Sequence, residues 1–206
     1  MRYKLLIFDF DGTLADSLPW FTSVINDVAA HYRLRQLQPE DSERLRSLDA
    51  REFLAELGVP RWKVPFIARY MRALKASALD RIGLFAGVET MLERLRANDV
   101  GIAIVSSDSE RNIRRVLGPH AGLVQHYACS ASLFGKGPKI RKVLRRAGIR
   151  PDQALYIGDE IRDLDAARAS GTAFGAVTWG YALPDALVAR SPDLLFDAVE
   201  DIGRAA

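Results

Sequence analysis

The chain has a single cysteine, Cys129, among 206 residues. That excludes an internal disulfide and a cysteine-built zinc site, and it suits a reducing cytoplasm. Histidine is almost as scarce. His31, His120 and His126 are scattered and suggest neither a metal cluster nor a catalytic triad. No apolar stretch approaches membrane-spanning length. The apolar run Leu5-Leu6-Ile7-Phe8 stops at Asp9, too soon for the core of a secretory signal. Charge of one sign is also missing. The 29 Lys and Arg against 26 Asp and Glu leave a net charge of +3. That mild excess favours a small anionic partner such as a phosphate ester and gives no reason to expect nucleic acid or a membrane. Internal repeats, low-complexity segments and long linkers are absent. Hydrophobic residues at 49% and this length allow one good core, or one core plus a small accessory domain.

What is present is concentrated at Phe8-Asp9-Phe10-Asp11-Gly12-Thr13-Leu14. The apolar run before it reads as a buried parallel strand. The end of such a strand lies where ligands of open α/β folds bind. Two carboxylates two residues apart need compensation there, because unpaired acids are costly near a core. A divalent cation is the usual answer, and Gly12 lets the chain turn away sharply.

Downstream, Ser17 reads as an N-cap with Pro19 in the first helical turn. Apolar residues then recur at helical spacing to about residue 80, for example Phe66, Ile67, Tyr70, Met71 and Leu74. From residue 84 the pattern alternates. Strands are expected at 101–105, 127–129, 154–157, 173–178 and 194–196, with helices between. Such alternation predicts a parallel sheet with helices on both faces. The expected organisation is therefore a Rossmann-like α/β core, residues 1–15 and 84–206, with an inserted all-α cap at 16–83.

Three strand ends carry polar residues: Asp9 and Asp11, Ser106, and Asp159 with Asp163. All belong at one sheet edge. The carboxylates supply hard oxygen ligands of the kind Mg²⁺ takes. Lys136, in Phe134-Gly135-Lys136-Gly137-Pro138, precedes a helix and can reach the same edge. A cation, a hydroxyl and a metal around one carboxylate suit phosphoryl transfer.

With these residues the chain resembles the haloacid dehalogenase-like superfamily, in its phosphoglycolate phosphatase-like branch with a small helical cap. Asp9-Phe10-Asp11-Gly12-Thr13-Leu14 is similar to the first family motif and Ser106 to the second. Lys136 matches the third, and Gly158-Asp159-Glu160-Ile161-Arg162-Asp163 the fourth. The resemblance implies a Mg²⁺-dependent phosphatase acting on a small phosphorylated metabolite, with 2-phosphoglycolate the best single substrate. It implies that Asp9 is the nucleophile and forms an aspartyl-phosphate. Asp11 would be the acid and base, Ser106 would donate to a phosphoryl oxygen, and Lys136 would neutralise charge near Asp9. The metal would sit on the side chains of Asp9 and Asp159, the carbonyl of Asp11, and Asp163. Ser107 stands where many relatives carry Asn, and Lys139 is a rival to Lys136 in the third motif. Rival activities are a phosphosugar mutase or phosphotransferase and a phospho-aspartate signalling module.

Candidate substrate contacts are Ser107 in the core and Trp20, Arg46 and Arg51 in the cap, the arginines in a helix-connecting region. The basic run from Lys139 to Arg150 reads as the solvated face of its helix. Trp179-Gly180-Tyr181 reads as packing and turn. The assembly expected is a monomer or a homodimer, in the cytoplasm.

Overall fold

The computed structural model describes residues 3–130 and 135–205. Strands β1 (Leu5–Phe8), β2 (Gly101–Val105), β3 (His126–Ala128), β4 (Ala154–Gly158), β5 (Ala173–Val177) and β6 (Leu194–Phe196) form one sheet. Its order is β3-β2-β1-β4-β5-β6, and every pairing is parallel. The chain builds outward from β1 through β2 to β3, then crosses to β4 and builds the other way. The order reverses beside β1, so the crevice of a doubly wound sheet opens at its carboxyl end.

Alternation along the strands makes two cores. Leu6, Phe8, Ile102, Ile104, Leu155 and Ile157 face one side. There they meet α5 (Val88–Ala97), α6 (Glu110–Leu117) and α10 (Val199–Ala205). Leu5, Ile7, Ala103, Val105, Ala154 and Tyr156 face the other. They meet α7 (Lys136–Ala147), α8 (Ile161–Ser170) and α9 (Pro184–Val188). The helix stops are legible: Gly148 and Gly171 end α7 and α8 in the left-handed conformation, at φ 66° and 77°, which costs glycine nothing.

Four helices lie between β1 and α5: α1 (Leu18–His31), α2 (Ser42–Arg46), α3 (Ala50–Glu56) and α4 (Val64–Ala76). The chain leaves and rejoins the sheet domain at adjacent points. Asp16 N donates to Gly83 O at 2.9 Å, Phe85 N donates to Leu14 O at 2.9 Å, and Ala15 bridges Leu84 in antiparallel fashion. Ser17 differs from its expected role. It occupies the N-cap of α1 with helical dihedrals and no side-chain cap bond. Its hydroxyl instead lies 3.1 Å from the Tyr181 hydroxyl. Arg46 and Arg51 lie in α2 and α3 rather than in a connection.

Candidate active site

Asp9 continues β1 by one residue, its N–H donating to Ile157 O at 2.8 Å, and it is 2% exposed. The backbone then turns at Gly12, where φ is +77° and an added Cβ would stand 2.2 Å from Asp159 Oδ2 and 2.4 Å from the Tyr181 ring. Glycine is thus required for the first strand end and the fourth to approach one another. Gly180 does the same from the far side, since its Cβ would stand 2.1 Å from Asp159 Cβ.

Lys136, the first residue of α7, reaches the floor of this crevice. Its Nζ lies 2.6 Å from Asp9 Oδ2 and 2.6 Å from Asp163 Oδ1. Asp163 also accepts from the Tyr156 hydroxyl at 3.0 Å and from Glu160 N at 3.2 Å. Asp159 is held by neutral donors: Thr13 Oγ1 at 2.8 Å and Tyr181 N at 2.8 Å. Asp9, Asp159 and Asp163 are all buried, and one oxygen from each lies within 4.8 Å of the others.

The electrostatics follow from burial. Desolvation pushes the Asp9 carboxyl up to about 7 against the pull of Lys136. Desolvation, with Glu160 and Asp9 adding, raises Asp159 well above the usual carboxylate range. Burial alone would lower the Lys136 ammonium, but Asp163 and Asp9 outweigh it and its pKa rises. One lysine among three buried acids leaves the cluster short of positive charge. Hard, close-set oxygens with an unmet charge are what a divalent cation takes, so the donor set fits a metal.

A second lysine completes the picture, and it comes from the helical segment. Lys75, in the last turn of α4 and 3% exposed, is ion-paired with Asp11 Oδ1 and lies 2.8 Å from Asp108 Oδ2. Asp108 is held further by Asn112 Nδ2 at 2.8 Å and Ser109 N at 2.6 Å. Desolvation opposes the Lys75 charge, yet Asp11 and Asp108 raise its pKa. Ser106 is 1% exposed, and its Oγ accepts from Asp108 N at 3.0 Å.

Between this edge and the helices above lies a cavity of about 580 Å³, lined among others by Asp11, Trp20, Arg46, Lys75, Ser107 and Arg162. The other candidates are placed as follows. Ser107 gives its carbonyl to Arg72 Nη1 at 3.3 Å. Arg46 donates to Tyr181 O at 2.9 Å and Gly180 O at 3.0 Å. Arg51 is exposed and does not line the cavity. Lys139 donates to Cys129 O at 2.6 Å, whereas Lys136 is the lysine on Asp9. Phe134 lies outside the described residues.

Sequence reasoning missed Lys75, Asp108 and Arg162. A signal existed for Lys75: it falls four residues after Met71 and eight after Ile67, on the apolar stripe of α4, where a charge needs a partner.

The model of the haloacid dehalogenase-like hydrolases matches residues 6–177. The chain belongs to that family. It is 31% identical to a phosphoglycolate phosphatase of Synechococcus elongatus over 98% of this chain and 96% of that one. A Lactobacillus plantarum protein solved by crystallography superposes with a TM-score of 0.83 at 25% identity, covering 98% of each chain. A tyrosine-protein kinase of Mycobacterium tuberculosis is 28% identical over 88% of this chain, which spans 64% of it. The chain falls in the phosphoglycolate phosphatase-like branch, and its buried aspartate cluster is the hydrolytic machinery of that family. Among the described residues, no helix is long and apolar enough to cross a membrane.

Proposed function

We propose that this protein is a cytoplasmic, Mg²⁺-dependent phosphatase that hydrolyses a small phosphorylated metabolite, 2-phosphoglycolate in the first instance. The observation that carries the reading is Lys136 Nζ shared between Asp9 and Asp163, with Asp159 beside them. An Asp9 oxygen attacks phosphorus and the bond to the leaving oxygen breaks. Asp11 gives that oxygen its proton. Asp11 then takes a proton from a water that attacks the aspartyl-phosphate, and the bond from phosphorus to Asp9 breaks, freeing phosphate. Ser106 and Lys136 hold the phosphoryl oxygens. Asp9, Asp159, Asp163 and the Asp11 carbonyl would hold Mg²⁺, which supplies charge neutralisation between two anions. Helices α1–α4, within residues 16–83, serve as a cap that secludes the cavity and limits substrate size.

The test is phosphate release from a panel of phosphorylated metabolites, with and without Mg²⁺. Metal-dependent release that is fastest with 2-phosphoglycolate supports the reading in full. Fastest release from another ester removes the named substrate, and no release from any ester removes the phosphatase. The likeness to a protein named as a kinase favours one second reading, transfer of the aspartyl group's phosphate to a hydroxyl acceptor. It is distinguished by label passing to an acceptor rather than to water.

A further inference from the structure

Four cations line the cavity among the described residues, Arg46, Arg72, Lys75 and Arg162, and their partners differ. Arg46 is taken up by two backbone carbonyls. Arg162 donates to Glu160 Oε2 at 2.7 Å, and Arg72 donates to Ser107 O. Lys75 alone among these four is paired with Asp11. It is also anchored where the helical segment rejoins the sheet domain. Ala76 ends α4, and the chain meets Asp16 at Gly83. The same turn is tied to the loop after β2 by Arg72 Nη1 on Ser107 O, and to α6 by Asn112 Nδ2 on Arg72 O at 3.3 Å. Lys75 therefore sits at the fixed end of the helical segment, beside the sheet edge.

We infer that Lys75 is a specificity-determining residue that binds an anionic group, a carboxylate, carried close to the ester oxygen of the substrate. The inference rests on the phosphatase reading above. In that reading Asp11 meets the leaving oxygen, so whatever touches Asp11 borders the atoms just beyond that oxygen. To reach the leaving oxygen Asp11 turns away from Lys75. The ammonium then loses one of its two carboxylates in a buried site, where an under-neutralised charge is costly. A substrate carboxylate one or two bonds past the ester carbon takes the vacated side, while Asp108 stays on the other. The ammonium keeps two anions throughout. An ester without that carboxylate leaves Lys75 short of one partner. The cation thereby selects for short phosphorylated acids over neutral esters of the same size.

The experiment compares 2-phosphoglycolate with ethyl phosphate, which lacks the carboxylate, in the unaltered protein and in Lys75→Met and Lys75→Arg. The expected result is a preference for the acid in kcat/KM. Lys75→Met should lower that preference by at least about tenfold, the size of one charged hydrogen bond, and Lys75→Arg should keep most of it. The same pair titrated calorimetrically into Asp9→Asn, with and without Lys75→Met, reads the preference by binding alone. That readout does not need turnover. Failure of the phosphatase reading appears as no phosphate release from any ester by the unaltered protein. Failure of the Lys75 assignment appears separately, as no preference for the acid in the unaltered protein. It also appears as an equal loss with both esters in Lys75→Met, or as a preference that survives there in both kcat/KM and binding. An equal loss would make Lys75 a support for Asp11 only.

Discussion

Lys75 is ion-paired with Asp11 across the junction between the helical segment and the sheet, as Lys136 is with Asp9 within the sheet domain. Each lysine also holds a further acid, Asp108 and Asp163 respectively. The two motif aspartates, two residues apart in sequence, thus sit in separate ion clusters. Asp9 faces the prospective metal; Asp11 faces the cavity. Phe10 alone lies between them, its side chain buried in the core, and the separate partners let two chemically identical groups take different roles.

Asp9→Asn should abolish turnover while leaving a folded protein, since the amide keeps the shape but cannot attack phosphorus. Rapid acid quench with labelled substrate should trap label on the unaltered chain and none on the variant. Persisting turnover above about a hundredth of the original rate, far more than loss of a nucleophile allows, would remove Asp9 from the role.

Lys136→Met should cost on the order of 10²–10³ in kcat, the usual effect of removing one preorganised charge at a reacting centre. Lys139→Met should cost little, because its Nζ is spent on the Cys129 carbonyl. Steady-state kinetics on the two variants decides the matter, and the reverse order would assign the third motif to Lys139.

Asp159→Asn should weaken the metal response. In the unaltered protein, Mg²⁺ added after chelator treatment should raise the melting temperature, because the ion binds the folded cluster and not the unfolded chain. Loss of one of three carboxylates should weaken the apparent affinity by at least about tenfold. Thermal unfolding followed across a Mg²⁺ series measures both. An undiminished shift in the variant would place the metal elsewhere.

The sheet was legible because its strands are short apolar runs, most of them followed by a polar residue, and Leu5–Phe8 ends at Asp9. Asp159 and Lys136 were legible for the same reason: strand ends and helix starts in a parallel sheet share one edge. Lys75 was not, because periodicity tells which face of a helix is buried and not against what. Asp108, inside Ser106-Ser107-Asp108-Ser109, reads as a polar loop. Its burial depends on α4, whose Lys75 lies 33 residues earlier in sequence, and on no local pattern. Ser17 misled for a related reason. A good capping residue was diverted to the Tyr181 hydroxyl by a tertiary contact.

The Cys129 thiol is pushed up to about 12, chiefly by burial and then by Glu110 and Asp108. A raised acid is more protonated at any given pH. Its alkylation by iodoacetamide at pH 8 should therefore be slower than that of a small free thiol. The rate should go on rising past pH 9, where an ordinary thiol levels off. For the same reason the fold should lose stability as pH climbs above the unfolded thiol value, since the unfolded chain gives up its proton first. Rate against pH, read by mass spectrometry, checks the thiol directly; a plateau near pH 9 would mean the group is not held neutral.

Arg46→Ala separates positioning from recognition. The guanidinium is committed to Tyr181 O and Gly180 O, and the Arg46 carbonyl accepts from Leu183 N at 3.0 Å. It fastens α2 to the loop that carries Tyr181, whose N–H in turn holds Asp159. Truncation should cost about 1–3 kcal/mol of stability, the range for losing charged hydrogen bonds to part-buried acceptors. It should also lower kcat/KM by a similar factor for 2-phosphoglycolate and ethyl phosphate, because a loosened helix and a displaced Asp159 affect both alike. Lys75→Met is expected to act on the acid alone in excess, so the two variants should differ in the ratio of the two esters and not merely in size of effect. Should Arg46→Ala lose the acid selectively with its melting temperature unchanged, Arg46 would be the residue that reads the anion, and the two backbone carbonyls only its resting place.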